Sequence, residues 1–333
     1  MSAPVLVTGG AGYVGASAVR ALAAAGRRVV VLDDLSTGTR AHLRWGTFVE
    51  GDAGDPALVG RVCREHGVGA VLHFAAKTSV EASVGDPDGY FRANVVTTSH
   101  LVRAARDAGV RAIVFSSSAA VYGTPRALPI PEDHPLEPES PYGATKAEAE
   151  RVLAEGGVPA ACLRYFNAAG AEPDAGLCER HDPETHLIPR ALDAAARGST
   201  LRVFGGDWPT ADGTCVRDYV HVADLATAHL AALAHLERGG RGGAWNLGTG
   251  RGASVREVVG AVERATGRPV RVEVVPRRRG DPVALVADPR RAERDLGWRA
   301  TARSTLDAIV ADAFTGWRTV AAETAAAGGG PRP

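Results

Sequence analysis

The chain of 333 residues contains 38 lysines and arginines and 38 aspartates and glutamates, so its formal net charge is zero. This length permits a large core in two lobes. The balanced charge excludes a surface built to attract polyanions, so nucleic acid is not an expected partner. No apolar run approaches the ~20 residues of a membrane span, and the first predicted strand begins too close to Met1 to leave room for a secretion signal. Four cysteines without zinc-knuckle or C-x-x-C spacing are typical of reduced thiols, which predicts a cytoplasmic protein.

The first 34 residues predict a nucleotide-binding strand, loop, helix and strand. An apolar strand precedes glycines at positions 9, 12 and 15, and helix-forming residues follow them. Glycines at this spacing allow the backbone to approach a pyrophosphate at the N-terminus of the helix. The next strand ends in Asp33 and Asp34, where an acid accepts hydrogen bonds from an adenosine ribose and repels a 2′-phosphate. The segment therefore predicts NAD rather than NADP.

Apolar runs alternate with helical segments through the first half of the chain. We predict strands at 4–8, 28–33, 47–49, 70–74, 111–117 and 159–165, and helices at 12–25, 55–66, 92–108 and 141–155. This alternation is typical of an α/β fold with a Rossmann-type doubly wound parallel sheet. The alternation breaks after Asn167, which predicts a smaller C-terminal α/β substrate lobe. We expect a cofactor domain at 1–166, a substrate lobe at 167–324 with some segments returning to the first domain, and a disordered tail at 325–333.

Candidate cofactor-contacting or sugar-contacting residues stand at the ends of three of the predicted strands, at the carboxyl edge of the sheet, where such folds bind ligands. Asp52 is placed to accept a hydrogen bond from an adenine amino group, and Phe74 and Ala75 are placed to line the cofactor. Ser118 ends the strand that should reach the nicotinamide and is placed to bond a sugar hydroxyl. A structural alternative stays open for each polar residue, because loop aspartates and turn serines often bond only the nearby backbone.

Tyr142 and Lys146 stand four positions apart in a predicted helix, so both lie on one face. A tyrosine titrates near ~10, and moving its pKa to about 7 takes roughly 4 kcal/mol. One cation at about 4 Å supplies that amount at an effective dielectric constant of about 20. Alone, the pair is an ordinary helix-surface motif. With the glycine loop upstream, it predicts hydride chemistry with a phenolic base.

Several longer motifs resemble the extended short-chain dehydrogenase/reductases of the NAD-dependent epimerase/dehydratase family, and more narrowly the members that epimerise UDP-hexoses at C4. The resemblance covers about residues 4 to 300, and Asp-Gly-Thr-x-Val-Arg-Asp-Tyr is its narrowest motif. The motifs lie at 9–15, 115–123, 140–146, 163–167, 184–189, 212–224, 246–250 and 278–281.

This resemblance implies that UDP-galactose and UDP-glucose interconvert through a 4-keto intermediate on tightly held NAD, as in galactose metabolism. Tyr142 would take the proton from the C4 hydroxyl as hydride leaves for the nicotinamide. Lys146 would lower the pKa of the phenol and bond the nicotinamide ribose, and Ser118 would orient the proton. The resemblance also implies a homodimer that pairs the helices at 92–108 and 141–155.

The resemblance assigns the remaining site residues by position in the matching motifs. The implied cofactor-binding residues are Gly9, Gly12, Tyr13, Val14, Gly15, Asp33, Asp34, Asp52, Ala53, Phe74, Ala75, Ala76, Asn94, Ser116, Tyr142, Lys146 and Tyr165. The implied substrate-binding residues are Ser118, Tyr142, Asn167, His186, Leu187, Phe204, Arg217, Tyr219, Arg278, Asp281 and Leu285.

Three positions depart from the family pattern. His186 stands where some members carry asparagine, and Lys77 comes one place before the lysine that some members direct at the cofactor, so Lys77 receives no role. Leu285 is smaller than the tyrosine that some members use to exclude an N-acetyl group, which predicts that UDP-N-acetylhexosamines also fit. His181 and His186 lack a third ligand at a suitable spacing, so the sequence predicts no metal site.

Other functions stay open as alternatives. A related epimerase would act on UDP-N-acetylhexosamines, UDP-pentoses or UDP-uronates. A nucleotide-sugar dehydratase needs an added acid and base beside Ser118, but Ala119 and Ala120 follow it. A non-enzymatic NAD-sensing regulator would have no need of Tyr142 and Lys146 together with Ser118.

Overall fold

The protein is built around a parallel sheet whose strands alternate with helices, and the computed structural model describes residues 2–278 and 280–326. The strands are β1 (Val5–Thr8), β2 (Val29–Asp33), β3 (Thr47–Glu50), β4 (Ala70–His73), β5 (Ala112–Ser118), β6 (Ala160–Tyr165), β7 (Asn167–Ala169), β8 (Thr200–Phe204), β9 (Val216–His221), β10 (Gly243–Leu247), β11 (Gly252–Ser254), β12 (Arg271–Val275) and β13 (Ala284–Leu285). The helices are α1 (Tyr13–Ala24), α2 (Pro56–His66), α3 (Val80–Gly85), α4 (Pro87–Phe91), α5 (Thr97–Asp107), α6 (Pro141–Glu155), α7 (Leu187–Arg197), α8 (Val222–Glu237), α9 (Val255–Thr266), α10 (Arg290–Leu296) and α11 (Leu306–Ala326).

The main sheet has seven parallel strands in the order β10-β6-β5-β4-β1-β2-β3. The predicted Rossmann-type doubly wound fold is therefore confirmed. A π-helical turn at Arg92–Val96 precedes α5, so the predicted helix at 92–108 is helical throughout most of its length. Strand β10 was not predicted, although the chain was expected to return to the first domain. It lies beside β6 because buried residues of its Ala-Trp-Asn-Leu run complete the sheet edge.

Local sequence signals explain where the helices that carry the site begin and end. Ser140 caps α6 through the backbone N–H of Gly143, and Pro141 occupies its first turn. Asp55 caps α2 in the same way, and Gly67 ends that helix in the left-handed conformation. Ser254 and Glu257 form a capping box at the start of α9.

Apolar side chains on the two faces of the main sheet form separate cores. On one face, Val5 and Val7 pack with residues of α1 and α8, including Leu22 and Leu233. On the other face, Leu6 packs with residues of α2, α5 and α6. Full burial of one such leucine stabilises the fold by about 2 kcal/mol. Helix α8 thus packs on the first domain although it lies within the range expected for the substrate lobe.

The remaining strands build the second lobe. Strands β11, β9 and β13 form a small sheet that β7 joins through β9, and β12 pairs with β8. Helices α7, α9 and α11 cover this region with an apolar core of their own. The predicted disordered tail is wrong for residues 325 and 326, because alanine favours helix and α11 continues to Ala326. Residues 327–333 lie outside the described part of the chain. Across the described residues, no helix is both long and apolar enough to cross a membrane.

A buried ion pair ties α6 to strand β6 of the main sheet. Arg164 of β6 donates to both carboxylate oxygens of Glu150, with its Nη2 atom 2.6 Å from Oε2 and its Nε atom 2.9 Å from Oε1. Arg164 also donates to the Tyr122 hydroxyl at 2.9 Å, and Tyr122 donates to Asn246 Oδ1 of β10 at 2.6 Å. The Ser117 hydroxyl donates to Glu150. Each polar group in this set has a partner, as a buried network requires.

We expect Arg164→Leu to lower the free energy of unfolding by about 3–5 kcal/mol, because it leaves the Glu150 carboxylate buried and uncompensated. Urea denaturation measures this loss. Arg151→Leu is the matched control, since Arg151 pairs with Glu148 and Glu155 on the exposed side of the same helix. Surface pairs contribute little, so an equal loss in both variants would contradict the prediction.

Candidate active site

The glycine loop touches the loop that follows β4. Gly9 has φ +70°, and a Cβ added to it would lie 2.6 Å from the backbone nitrogen of Ala75. A Cβ on Gly15 would lie 2.2 Å from the Gly9 carbonyl oxygen. Only glycine fits at these two positions. Gly12 precedes α1, so the N-terminus of that helix points its free backbone N–H groups out of the loop. This arrangement is a cradle for a pyrophosphate.

Asp33 holds the glycine loop to the end of β2. Its Oδ2 atom accepts from the Ala11 backbone at 2.9 Å, and its Oδ1 atom accepts from the Leu35 backbone at 2.9 Å. Burial raises the pKa of Asp33 above its usual value, and these two hydrogen bonds oppose the rise. Each carboxylate oxygen keeps a second lone pair, as ribose recognition requires.

The other acids expected at the cofactor bond their own loops. Asp34 Oδ1 accepts from the backbone and hydroxyl of Ser36, at 2.9 and 2.6 Å. Asp52 Oδ1 accepts from the Gly54 backbone at 2.7 Å, and Ala53 beside it is buried. These contacts are the local backbone bonds that the sequence left open as the structural alternative.

Tyr13 joins the glycine loop to the second lobe. It is buried, and its hydroxyl donates to the Gly170 carbonyl at 2.6 Å. Burial raises the pKa of Tyr13 well above its usual value, and the nearby Glu179 carboxylate raises it further. Val14, next in the chain, packs at the edge of the core between α1 and α8. The phenol of Tyr13 thus serves as a structural link, which its place in the motif does not reveal.

Buried polar side chains hold the Phe74–Ala76 loop in place. His73 Nδ1 lies 2.7 Å from the Thr8 hydroxyl, and His73 Nε2 lies 3.1 Å from the Thr98 hydroxyl. The Thr98 hydroxyl donates to the Asn94 carbonyl at 2.6 Å, so it accepts from His73 Nε2. Burial lowers the pKa of His73 to about 3, so its ring is neutral.

Asn94 connects this loop to the catalytic helix. Its Oδ1 atom accepts from the Lys77 backbone at 2.8 Å, and its Nδ2 atom donates to the Lys77 carbonyl and the Thr145 hydroxyl, both at 3.0 Å. The side chain of Asn94 is therefore bonded within the protein at every polar atom. The Lys77 ammonium pairs with Asp86 at 3.0 Å near the surface.

Ser118, Tyr142 and Lys146 come together where β5 meets α6. Tyr142 is buried, and burial raises the pKa of its phenol to about 12, while its hydrogen bond with the Ser118 side chain opposes the rise. Ser118 Oγ also accepts from the Ala120 backbone at 3.2 Å, so it caps the turn that follows β5. The predicted hydroxyl pair is therefore present, together with the structural role that the sequence left open.

Lys146 does not contact the phenol in the way that the helical spacing suggests. Its Nζ atom donates to the Ser116 carbonyl at 2.8 Å and lies 5.9 Å from the centre of the Tyr142 ring. Burial lowers the pKa of Lys146 to about 7, and the Glu150 carboxylate opposes this change. In the protein alone, burial raises the pKa of the phenol, so the lowering of that pKa by this ammonium stays a prediction for the complex with NAD.

Tyr165 is held by a histidine that the sequence analysis missed. His229 of α8 has Nδ1 2.8 Å from the Leu225 carbonyl, so Nδ1 donates and Nε2 accepts from the Tyr165 hydroxyl at 2.6 Å. Burial lowers the pKa of His229 to about 4. The ring of Phe74 lies 4.6 Å from the ring of His229. A periodic apolar helix such as α8 carries no signal that His229, one of its two histidines, reaches the site.

Strand β9 brings together four of the implied substrate residues. Its register pairs Tyr219 with Asn167 of β7 and Arg217 with Leu285 of β13. Arg217 and Tyr219 are two residues apart, so their side chains share one face of the strand. Burial raises the pKa of Tyr219 above its usual value.

Two arginines in this lobe are positioned by other groups. Arg217 Nη1 donates to the carbonyls of Val216 and Pro282 at 2.8 and 3.0 Å, and its Nη2 atom lies 3.7 Å from Asp281. The guanidinium of Arg278 stacks 3.7 Å from the centre of the Phe204 ring. A planar guanidinium held in this way keeps free N–H groups that can bind phosphate oxygens.

His186 precedes α7 and lies in an unexpected cluster. Its Nδ1 atom contacts Glu179 and is 3.3 Å from Glu184, and His181 Nδ1 is 3.0 Å from Glu179. These carboxylates raise the pKa of His181 to about 9 and that of His186 to about 10. Leu187, the next implied substrate residue, begins α7.

The fold and the site together define a class of protein. A glycine loop at the carboxyl edge of a parallel sheet, an acid at the end of β2, a half-buried serine, and a buried tyrosine and lysine are the parts of a dinucleotide-dependent short-chain dehydrogenase/reductase. The model of the NAD dependent epimerase/dehydratase family matches residues 5–248. The chain belongs to this family, which confirms the resemblance seen in its motifs.

Individual relatives agree with this assignment. A UDP-glucose 4-epimerase of Rhizobium leguminosarum bv. trifolii is 48% identical over 299 residues, which cover 88% of this chain and 91% of that protein. The crystal structure of UDP-glucose 4-epimerase from Brucella ovis in complex with NAD has 48% identity and a TM-score of 0.92, and the match covers 95% of this chain and 98% of that one. The UDP-glucose-4-epimerase from Stenotrophomonas maltophila with bound NAD and formylated UDP-arabinopyranose has 38% identity and a TM-score of 0.93, covering 97% and 100%.

Two buried, neutral histidines, His73 and His229, predict that the folded protein loses stability in acid. The unfolded chain binds their protons below about pH 6.5, whereas folded His229 binds its proton only near pH 4. Stability that His229 contributes above pH 6.5 is therefore lost as the pH falls toward 4, by about 2 kcal/mol between pH 7 and 5. Urea denaturation at pH 7 and pH 5 measures this loss. We expect the unfolding free energy of His229→Gln to change less between the two pH values than that of the parent, by about 2 kcal/mol. An unchanged difference would show that His229 is not buried neutral.

Proposed function

We propose that the protein interconverts UDP-glucose and UDP-galactose by epimerisation at C4, with tightly bound NAD. The observation that carries the proposal is the buried contact between Ser118 and Tyr142, with Lys146 beside it, at the sheet edge where the glycine cradle also lies. The names of relatives that match nearly the whole chain support the same activity. This activity belongs to galactose metabolism.

The glycine loop fits NAD because its backbone leaves room that any Cβ would fill, and Asp33 has lone pairs for an adenosine ribose. Tyr13, Val14, Ala53 and the Phe74–Ala76 loop would line the rest of the cofactor. When bound, NAD accepts hydride from C4 of the sugar and returns it, and its oxidised ring adds a positive charge. Ser116, Asn94 and Tyr165 would act indirectly, because they help to hold Lys146 and the Phe74–Ala76 loop in position.

Tyr142 is the proposed base. A phenol with a pKa of about 12 is almost fully protonated at neutral pH, so it becomes an effective base only when positive charge approaches it. Lys146 and the oxidised cofactor would supply that charge together. Ser118, which bonds the phenol, would pass the proton between Tyr142 Oη and the C4 oxygen or orient that oxygen. Burial of Tyr142 and Lys146 would help to keep water from the keto sugar.

The second lobe would hold the nucleotide so that the keto sugar can turn. Arg217 and Arg278 would bind diphosphate oxygens, and the Phe204 ring fixes the plane of Arg278. Asn167 and Tyr219 border the same region by strand register, and Asp281 does so by its ion pair with Arg217. Leu187 packs against the apolar cluster that contains Tyr219. His186 would contact the substrate where relatives use asparagine.

The catalytic assignment is tested with purified protein, UDP-galactose and no added NAD. We expect UDP-glucose to form, and we expect Tyr142→Phe to lower kcat by about 10²–10⁴-fold while bound NAD is retained. Ser118→Ala should lower kcat as well, and Ser99→Ala, an exposed serine on α5, is its control. A dehydrated keto sugar would identify a dehydratase, and the absence of any product would identify a regulator. An undiminished rate in Tyr142→Phe would contradict the role of the phenol.

A second candidate substrate is a UDP-N-acetylhexosamine. Leu285 is half-buried and packs against the turn of Ala119 and Val121, immediately after Ser118. A leucine leaves more room there than a tyrosine. We expect the protein to turn over UDP-N-acetylglucosamine, and we expect Leu285→Tyr to lower its kcat/KM at least ~10-fold more than that for UDP-glucose. No turnover of UDP-N-acetylglucosamine at saturating concentration would contradict this expectation. UDP-pentoses and UDP-uronates belong in the same assay.

The proposed setting is a cytoplasmic homodimer. The four cysteines have free thiols, and three of them are buried, which fits a reducing compartment. Val84 and Phe91, in the helices just before the 92–108 segment, are exposed over 69% and 48% of their surfaces. Apolar side chains exposed this far fit a surface that a second copy covers.

A further inference from the structure

The loop at residues 179–186, immediately before α7, brings together four side chains that can bind a metal. Glu179, His181, Glu184 and His186 each direct one ligand atom to a common point, and these atoms all lie within 4.8 Å of one another. Nδ1 atoms of both histidines meet the same Oε1 atom of Glu179. Glu184 also lies near both rings, with its Oε1 atom 3.3 Å from His186 Nδ1 and its Oε2 atom 3.8 Å from His181 Nδ1.

The cluster holds two carboxylates and two imidazoles, and the imidazoles balance the carboxylates only while they are protonated. A bound cation would balance them with neutral imidazoles. The side chains of Glu179 and Glu184 are only 10% and 23% exposed. Among the described residues, their ion-pair partners are the two histidines, and neighbouring Arg180 pairs with Glu323 instead. One divalent cation would balance both carboxylates at a single point.

One nitrogen in the cluster lacks a hydrogen bond. His181 Nδ1 is buried and has no hydrogen-bond partner, although Glu179 Oε1 lies only 3.0 Å away. The two atoms are close but are not aligned for a hydrogen bond. A buried imidazole nitrogen without a partner is costly, whereas a metal ligand needs such a free lone pair.

We propose that Glu179, His181, Glu184 and His186 form a binding site for Zn²⁺. Two imidazole nitrogens and two carboxylate oxygens are a donor set that Zn²⁺ takes, with ligand distances of about 2.0–2.2 Å. Ligands of a tetrahedral ion lie about 3.3 Å apart, so small side-chain rotations close the present cluster onto it. All four ligands come from the protein, which makes the site structural.

The place of the site explains what the metal would stabilise. Glu179 lies near Tyr13 of the glycine loop, and His186 immediately precedes α7. An ion held by both ends of this segment would fix the connection between the cofactor cradle and the helix that begins with Leu187. The site is separate from Tyr142 and Lys146, so the proposal does not depend on the reaction.

The test starts with the full-length protein dialysed against a chelator and then against chelator-free buffer. Titration with ZnCl₂ in a calorimeter should give about one ion per chain, and mass spectrometry of the metal content should agree. Saturation with Zn²⁺ should raise the midpoint of thermal unfolding by about 2 °C or more. Co²⁺ should give visible absorption bands without the charge-transfer band of a thiolate ligand.

Variants assign the ion to this cluster. The double variant Glu179→Gln with His181→Asn should weaken Zn²⁺ binding at least ~100-fold, because it removes two of the ligands. His66→Asn, at the last turn of α2, is the control and should bind like the parent. His186 is left unchanged because it is also an expected substrate contact.

Three results would overturn the proposal. They are no stoichiometric Zn²⁺ binding by the parent protein, equal binding by the double variant, and a thiolate band with Co²⁺. The first result would identify the cluster as an ion-pair network of protonated histidines. It is measured on the parent protein, so it does not depend on the folding of a variant.

Discussion

The bidentate pair between Arg164 and Glu150 is the constraint on which the site depends. It joins helix α6, which carries Tyr142 and Lys146, to strand β6 of the main sheet, between β5 and the edge strand β10. Through Tyr122 it also reaches Asn246 on β10, the strand contributed by the second half of the chain. Bidentate geometry fixes direction as well as distance. The phenol and ammonium are thereby held in place by a network that takes no part in the reaction.

Burial sets the electrostatics of the site before any ligand is present. Desolvation raises the pKa of Tyr142 to about 12 and lowers that of Lys146 to about 7, so both groups favour their neutral forms. A site in this state responds strongly to an added positive charge. This property suits a reaction in which the charge of the cofactor ring changes as hydride moves to it and back.

Most of the first domain was predictable because its signals are local. The six strands of the first half, the glycine loop, and the caps of α2 and α6 rest on neighbouring residues in the chain. Strand β10 was not predicted because its apolar run is short and can be recognised as a strand only from its pairing with β6. The link between His229 and Tyr165 joins residues 64 positions apart. Glu179 and Glu184 were overlooked as partners of His181 and His186 because loop residues converge only when the path of the loop is known.

The sequence alone determined the fold class, the preference for NAD over NADP and the identity of the three proposed catalytic side chains. Each of these follows from residue type and short spacing, which chemistry constrains directly. Only the tertiary structure decided that Lys146 bonds the Ser116 carbonyl rather than the phenol, that Asn94 ties a loop to α6, and that strand register sets Arg217 beside Leu285. The reason is that hydrogen-bond partners and desolvation depend on which distant segments exclude water from a group, and spacing along the chain does not specify them.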